Sequence, residues 1–153
     1  MTRWMIVSSI ENFEATARLK FTVQGFKSRH RKKAQRMVPG DSFVYYLTGV
    51  GCFAATCEVT SQYFEGSDTI WRAKKKPEEV YPWRVEITPR VIAAESARVP
   101  ALQLKDRLTF VRKWPEQHWR LAFQGMVHVL PECDWQTIER ALEKTSATIE
   151  PAT

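Results

Sequence analysis

The chain has 153 residues, of which 44% are hydrophobic and 26% charged, and its formal net charge is +6. This length and composition are typical of one globular domain with its own core. No apolar run approaches the ~20 residues of a membrane-spanning helix, and the N-terminus lacks the apolar stretch of a signal peptide, so we expect a cytoplasmic protein.

The first quarter of the chain predicts a strand and two helices. Residues 4–8 form a short apolar segment typical of a strand, and Ser8 and Ser9 are both suited to cap a helix that follows it. Residues 21–26 are expected to link this helix to the next element. Residues 30–38 predict a short basic helix, which Pro39 and Gly40 end.

The middle of the chain predicts a hairpin and a long strand. Residues 42–47 and 52–61 are rich in strand-forming residues and flank a turn with two glycines. Residues 62–69 and 72–79 are expected loops on either side of Ile70 and Trp71. Residues 81–91 predict a strand whose apolar positions 83, 85 and 87 alternate with polar positions 84, 86 and 88.

The last third of the chain predicts a short helical passage, a strand and a closing helix. The helical passage covers residues 100–106, and apolar residues alternate again at positions 119, 121 and 123. Residues 125–130 predict the last strand and residues 134–144 an amphipathic helix, followed by a frayed tail at 145–153. Together the elements predict an α+β fold, a mostly antiparallel sheet that curls into a barrel with flanking helices.

Three cysteines, Cys52, Cys57 and Cys133, are present. An odd number does not suit a disulfide framework, so we expect free thiols. Neither a CxxC pair nor a group of neighbouring histidines is present, so we expect no zinc site and no other cofactor.

The excess positive charge is concentrated in one segment. Residues 15–40 contain eight of the 23 basic residues and no carboxylate, which leaves fifteen basic and seventeen acidic residues elsewhere. A patch of one sign attracts polyanions and steers their approach, and the alternative is a solvated basic face without a partner. We favour the polyanion interpretation because aromatic residues border the patch. Phe26 and Trp71 each stand beside a run of cations, a pairing that suits stacking on bases and contacts with phosphates.

No motif of a known enzyme class is present: the sequence lacks GxSxG, HExxH, a P-loop and GxGxxG. We therefore expect a binding protein and not an enzyme.

The sequence resembles the EVE domain family, a branch of the PUA-like superfamily that is related to YTH domains. The resemblance holds over about residues 3–144 and rests on an ordered set of short segments. These segments are Trp4-Met5-Ile6-Val7, Glu11-Asn12-Phe13-Glu14, Gly25-Phe26 with the basic helix after it, Val38-Pro39-Gly40-Asp41, Cys57 to Ser61, Ile70-Trp71, Tyr81 to Val85, Leu108 to Lys113, Trp119, Gly125-Met126 and Leu130-Pro131-Glu132.

The resemblance implies a PUA-like barrel with a pocket at one mouth, where relatives hold a modified base between aromatic rings. It implies that Phe26, Trp71 and Tyr81 form the cage; relatives usually have Trp at the Phe26 position. It implies polar contacts to the base edge from Ser8, Ser9, Lys27, Ser28 and Gln124, or from Gly125 beside it. The expected phosphate-binding residues are Arg29, His30, Arg31, Lys32, Lys33, Lys74, Lys75 and Lys76.

These expectations describe a reader that grips one flipped, methylated or hydroxymethylated base in DNA or RNA. Two alternatives stay open. The related ASCH proteins indicate a hydrolase of modified nucleosides, in which Lys27, Glu58 or Glu86 would act as acid or base. The basic face could instead bind another protein. The sequence leaves the choice of base, the DNA or RNA partner and the oligomeric state open.

Overall fold

The computed structural model describes residues 1–148 and contains eight strands and five α-helices in that range. The strands are β1 Arg3–Ser8, β2 Val23–Phe26, β3 Ser42–Leu47, β4 Cys52–Val59, β5 Phe64–Glu65, β6 Trp83–Ile92, β7 Val99–Pro100 and β8 Val127–Leu130. The α-helices are α1 Ile10–Arg18, α2 Arg31–Arg36, α3 Ala101–Leu104, α4 Thr109–Arg112 and α5 Glu132–Thr148.

One curled, mixed sheet with flanking helices organises the chain, as predicted. Its strand order is β2-β6-β4-β3-β1-β8, with β5 paired to β6 and β7 to β4. Only β1 and β3 run parallel, and the other pairs are antiparallel. Among the described strands, β2 and β8 end this path, so the sheet is a half-barrel. Helix α2 bonds to the β8 end, because Lys33 Nζ donates to the Val127 carbonyl oxygen at 2.8 Å.

Both faces of the central strands are covered. Along β3, Phe43 and Tyr45 point into the hollow of the half-barrel, while Val44 and Tyr46 point outward under α5 and residues 97–123. A strand that is buried on both faces has a continuous apolar sequence, which explains Phe43-Val44-Tyr45-Tyr46-Leu47. Removing this much apolar surface from water is the main driving force for the fold.

Local chemistry sets the ends of the helices. The Ser9 hydroxyl accepts a hydrogen bond from Asn12 N at 3.1 Å, so Ser9 caps α1 as predicted. Asp134 is fully buried and accepts hydrogen bonds from Thr109 N, Thr109 Oγ1 and Phe110 N. One carboxylate of α5 thereby holds the start of α4 against it.

The buried carboxylate of Asp41 joins the first strand to the turn before β3. Its oxygens accept hydrogen bonds from Thr2 N at 2.9 Å, Trp4 Nε1 at 3.1 Å and Val38 N at 3.2 Å. A carboxylate in the core is stable only where donors surround it, and here three N–H groups do so. This explains why an aspartate closes the segment Val38-Pro39-Gly40-Asp41.

Several sequence predictions are wrong in detail. Residues 23–26 form the edge strand β2 where we expected only a linking stretch, and residues 64–65 form β5 inside an expected loop. Residues 116–123 form a 3₁₀ helix and not an alternating strand. The alternation in β6 fails at Arg84, which is 3% exposed. Helix α5 continues through residues 145–148, which we expected to fray, and residues 149–153 lie outside the described range.

The three cysteines are free thiols, as expected. Cys52 and Cys57 both lie on β4, and burial raises the pKa of the Cys57 thiol to about 12. Among residues 1–148, no helix is long and apolar enough to span a bilayer.

Gly25 on β2 leaves the space that the Trp71 ring fills. A Cβ atom at position 25 would lie 2.3 Å from Trp71 Cζ3 and 2.6 Å from Cε3. We expect Gly25→Ala to lower the free energy of unfolding by about 1–3 kcal/mol, because the ring has to move. Chemical denaturation of Gly25→Ala, Trp71→Leu and the double variant measures this. The double variant should lose less stability than the sum of the losses of the two single variants, because Leu at position 71 removes the ring atoms that clash with a Cβ at position 25. Additive costs would show that the ring contact is not responsible.

Candidate nucleic-acid interface

A cavity of about 720 Å³ opens where β1 and β3 end, beside the start of α1. The apolar part of its lining includes Ile6, Val7, Phe123 and Met126, and the aromatic part includes Trp71 and Tyr81. Polar side chains converge on it from several segments, among them Ser8, Asn12, Gln24, Lys27, Thr48 and Gln124. Its size and mixed lining are those of sites that bind small organic groups.

A chain of buried hydrogen bonds lies beneath the cavity. Trp71 Nε1 donates to Thr16 Oγ1 at 2.8 Å, and the hydroxyl of Thr16 lies 3.5 Å from Gln24 Oε1. The Tyr45 hydroxyl donates to the same Gln24 oxygen at 2.7 Å. Gln24 Nε2 donates to the Gly25 carbonyl oxygen at 2.7 Å. These bonds fix the position of Trp71 relative to α1, β2 and β3, and burial holds the pKa of Tyr45 well above its ordinary value.

Asn12, in the first turn of α1, holds the loop that carries Trp71. Its Oδ1 accepts from Arg72 N at 2.8 Å, and its Nδ2 donates to the Arg72 carbonyl oxygen at 2.9 Å and to the Tyr81 hydroxyl at 3.2 Å. The side-chain amide of Asn12 thus bonds both the backbone N–H and the backbone C=O of Arg72, as a neighbouring β-strand would. Both ends of the loop, at Arg72 and Tyr81, are therefore bound to one side chain.

Arg84 supports the same loop from below. Its guanidinium donates to the Asp68 carboxylate, to the carbonyl oxygens of Asp68 and Val80 and, through Nε, to the Tyr81 carbonyl oxygen. It also lies 5.2 Å from the centre of the Trp71 ring, at a distance typical of a cation–π contact. The charge of Arg84 is thus matched by loop acceptors, which explains why this side chain is buried.

Glu79 joins the loop to the segment after β2. Its carboxylate accepts hydrogen bonds from Ser28 N, Ser28 Oγ and Tyr81 N at 3.1, 2.9 and 3.1 Å. Partial burial raises the pKa of the Glu79 carboxyl, but these hydrogen bonds and the nearby Lys27 ammonium outweigh it and lower the pKa below its ordinary value. Tyr81 has a positive φ of 54°, a backbone conformation that these contacts stabilise.

The expected pair of facing rings does not form. Phe26 is fully buried and packs edge-on against Phe43 in the core, at a ring distance of 5.9 Å, so it does not line the cavity. The physical reason is strand alternation: β2 directs Phe26 to the core, and the following Lys27 reaches the cavity. Trp71 and Tyr81 do line it, but they are 1% and 4% exposed and belong to the buried core instead of standing open at a loop mouth. They contact one another with ring centres 6.1 Å apart and planes 48° apart.

The expected base-edge residues divide between two cavities. Ser8, Ser9, Lys27 and Gln124 line the cavity beside Trp71, as does Gly125. Ser28 does not; it lines an adjoining cavity of about 580 Å³ and is bonded to Glu79. The Ser9 hydroxyl caps α1 and the Ser8 hydroxyl donates to the Ser9 carbonyl oxygen at 2.8 Å, so both already have intramolecular partners.

The adjoining cavity is basic. Lys27, Arg29 and Lys74 line both cavities, and Lys75 and Lys76 line the basic one. The structure therefore brings together positive charges from residues 27–29 and 74–76, which are distant in sequence. We call this second site the basic cavity.

Four of the expected phosphate-binding residues lie elsewhere or carry no charge. Burial, together with Lys33, Arg29 and Lys27, lowers the pKa of His30 to about 4, although Glu79 opposes this, so His30 is neutral near pH 7. The Lys33 ammonium is bonded to the Val127 carbonyl oxygen. The Arg31 guanidinium lies 4.8 Å from the centre of the Trp83 ring. Lys32 is exposed and lines neither cavity.

Sequence reasoning missed Asn12, Gln24, Glu79 and Arg84 as residues that build the site. Gln24 had a visible signal, since an amide inside Val23-Gln24-Gly25-Phe26 needs a buried partner. Asn12 lay inside a segment that carried the family resemblance. Arg84 likewise lay inside the segment Tyr81 to Val85, whereas Glu79 had no signal, because its loop follows a path that the sequence does not predict.

The acid–base residues of the hydrolase alternative are not assembled. Glu58 is paired with Arg90 at 2.5 Å and Glu86 is exposed, and neither lines the cavity beside Trp71, whereas Lys27 does. Within residues 1–148, no group of three His, Cys, Asp or Glu side chains is arranged to hold a metal ion.

Two UPF0310 proteins are similar to this chain over nearly its full length. The chain is 28% identical to a UPF0310 protein of Pyrococcus horikoshii, with 93% of this chain and 99% of the relative covered. A UPF0310 protein of Pyrococcus abyssi is 27% identical, with 93% of this chain and 100% of the relative covered.

Solved YTH domains share the fold. The Pho92 YTH domain in complex with m6A has a TM-score of 0.67 at 14% identity, with 93% of this chain and 83% of the Pho92 chain covered. The YTH domain of Zygosaccharomyces rouxii MRB1 in complex with N6-methyladenosine RNA has a TM-score of 0.65 at 15% identity, with 99% and 87% covered. The family model for the EVE domain matches residues 2–141, and the chain belongs to the EVE domain family.

Proposed function

We propose that this EVE domain is a nucleic-acid reader that holds one flipped, modified base in the cavity beside Trp71. The observation that carries the proposal is the junction of the two cavities at Lys27, Arg29 and Lys74. A nucleotide has a flat, partly apolar base attached to an anionic phosphate. A cavity with aromatic and apolar lining that opens onto a basic cavity matches both parts.

The base would be held by one aromatic wall and not by a two-ring cage. Trp71 with Tyr81 supplies that wall, and Ile6, Val7 and Met126 add apolar surface. Stacking on an aromatic side chain is worth about 1–3 kcal/mol per base. An added methyl group fills apolar volume in such a cavity and is worth about 1–3 kcal/mol of discrimination.

A base in a duplex cannot reach an enclosed site while it is stacked and paired. It enters after flipping, which costs a few kcal/mol and least for an unpaired base. The donors around the cavity, above all the Lys27 ammonium and the Gln124 amide, would meet acceptors on the base edge. Lys74, Lys75 and Lys76, together with Arg29, would bind phosphates without regard to sequence.

The structural neighbours support this function over the hydrolase alternative. Two of the YTH domains that share the fold are described in complex with m6A or with RNA that contains it. In this chain, both carboxylates of the hydrolase alternative lie outside the cavity beside Trp71. An acid–base reaction there would lack the glutamates that the sequence suggested.

Replacement of Trp71 tests the stacking wall. We expect Trp71→Ala to lower affinity for a modified single strand by about tenfold and to remove most of the preference over the unmodified strand, because the stacking surface is lost. Trp71→Phe keeps a ring and should retain most of the preference. Fluorescence titrations with RNA containing N6-methyladenosine and DNA containing 5-methylcytosine or 5-hydroxymethylcytosine measure both.

Because Trp71 is 1% exposed and bonded to Thr16, thermal melting first checks that each variant is folded. A folded Trp71→Ala protein with wild-type discrimination would refute the stacking wall. If the wild-type protein binds none of these strands more tightly than the unmodified ones, the reader proposal fails.

Replacement of the lysine run tests the basic cavity. We expect Lys74→Ala, Lys75→Ala and Lys76→Ala together to weaken binding of all strands. The slope of log K against log salt concentration should become shallower by about 1–2, because each neutralised phosphate of a single strand contributes roughly 0.7 to that slope. The matched control is Arg107→Ala, Arg112→Ala and Lys113→Ala, which removes the same charge from residues outside both cavities. Equal slopes for the two triple variants would contradict the assignment.

Replacement of His30 tests whether its imidazole is charged when nucleic acid binds. Its pKa of about 4 leaves the imidazole neutral at pH 6.5 and at pH 8, so we expect His30→Gln to leave both affinity and salt dependence unchanged at either pH. Titrations of the same strand at the two pH values measure this. A loss of affinity confined to pH 6.5 would mean that a charged His30 contacts phosphate.

A further inference from the structure

The cavity beside Trp71 continues on the side away from the lysine run. At Thr48 and Phe123 it meets a third hollow of about 380 Å³, formed by the turn between β3 and β4, the start of α3 and the 3₁₀ helix at residues 116–123. We call this the third hollow. The cavity beside Trp71 thus shares lining residues with the basic cavity, at Lys27, Arg29 and Lys74, and with the third hollow, at Thr48 and Phe123.

The third hollow offers both aliphatic and cationic surface to a ligand. Val50 and Leu102 line it and are 52% and 58% exposed, so their side chains are accessible. The Arg120 guanidinium lies 4.5 Å from the centre of the Trp119 ring at the same hollow. A planar guanidinium on an aromatic ring stacks on bases and also attracts phosphate.

We propose that the third hollow is a second subsite, which takes the unstacked base of the nucleotide next to the one held beside Trp71. This inference rests on the proposed function and adds a substrate class to it: single-stranded nucleic acid. Continuity with the central cavity identifies the occupant, since the adjoining nucleotide of a bound strand reaches the hollow through the shared Thr48 and Phe123 surface. Arg120 supplies charge complementary to that strand.

The subsite also explains why duplex would be a poorer ligand. In a duplex with one flipped base, the neighbouring bases remain paired and stacked inside the helix. They cannot enter the third hollow while the flipped base occupies the central cavity. A single strand can place both bases, with the phosphates on the other side of the bound nucleotide lying along Lys27, Arg29 and Lys74.

Abasic substitution in short strands tests the subsite. The probes are a single-stranded RNA pentamer with N6-methyladenosine between uridines, a DNA pentamer with 5-methylcytosine between thymidines, and the corresponding 5′-monophosphates. Removing the base on one particular side of the modified nucleotide should lower wild-type affinity at least about fivefold, while removal on the other side should change it less than about twofold.

The matched variants are Leu102→Ala with Arg120→Ala, inside the hollow, and Ile92→Ala with Arg140→Ala, which makes comparable changes at residues outside all three sites. The first pair should erase the one-sided abasic penalty and bind the monophosphates within about twofold of wild type. The second pair should behave as wild type in both assays.

The outcomes separate the two proposals. If the pentamers and monophosphates bind but neither abasic substitution lowers wild-type affinity, the subsite is wrong and the proposed function stands. The subsite is also wrong if Leu102→Ala with Arg120→Ala keeps the one-sided penalty or weakens the monophosphates equally. If no probe binds wild-type protein in preference to its unmodified counterpart, the proposed function fails and the subsite with it.

Discussion

The cavity depends on the hydrogen bond from Trp71 Nε1 to Thr16 Oγ1 and on the buried polar chain that continues to Gln24 and Tyr45. Polar groups out of contact with water have to find partners, and these four side chains satisfy one another across α1, β2, β3 and the loop. The bond holds the Trp71 ring in the space that Gly25 leaves. Together with the contacts of Asn12, Glu79 and Arg84, this bond fixes the loop beside the open end of the sheet.

Most polar residues near the cavity hold the loop and do not face a ligand. Asn12 binds Arg72 and Tyr81, Glu79 binds Ser28 and Tyr81, and Arg84 binds Asp68 and Tyr81. A site with its supporting residues locked in this way is preorganised, which reduces the entropy lost when a ligand binds. Lys27 is placed where the cavity beside Trp71 meets the basic cavity.

The distribution of charge follows the same division. The basic segment at residues 15–40 places some of its cations in structural contacts, as with Lys33 on Val127 and Arg31 on Trp83. Burial, together with Lys33, Arg29 and Lys27, lowers the pKa of His30 and keeps it neutral near pH 7. The basic cavity instead draws on Lys27, Arg29 and the lysine run that follows Trp71. The number of charges in the segment therefore does not show which cations line the cavity.

The sequence by itself determined the family, the mixed sheet with flanking helices, and a serine cap at the start of α1, and the resemblance placed Trp71 and Tyr81 at the cavity. Apolar patterning and capping chemistry are local, so they can be recognised without the fold. Only the tertiary structure showed that Phe26 packs in the core and that Lys27 lines the cavity. Adjacent strand residues face opposite sides, so a shift of one position moves a side chain from the core to the cavity. The burial of Arg84 and the pairing of Gln24 with Tyr45 also required the tertiary structure, since their partners are distant in the chain and meet only when the sheet curls.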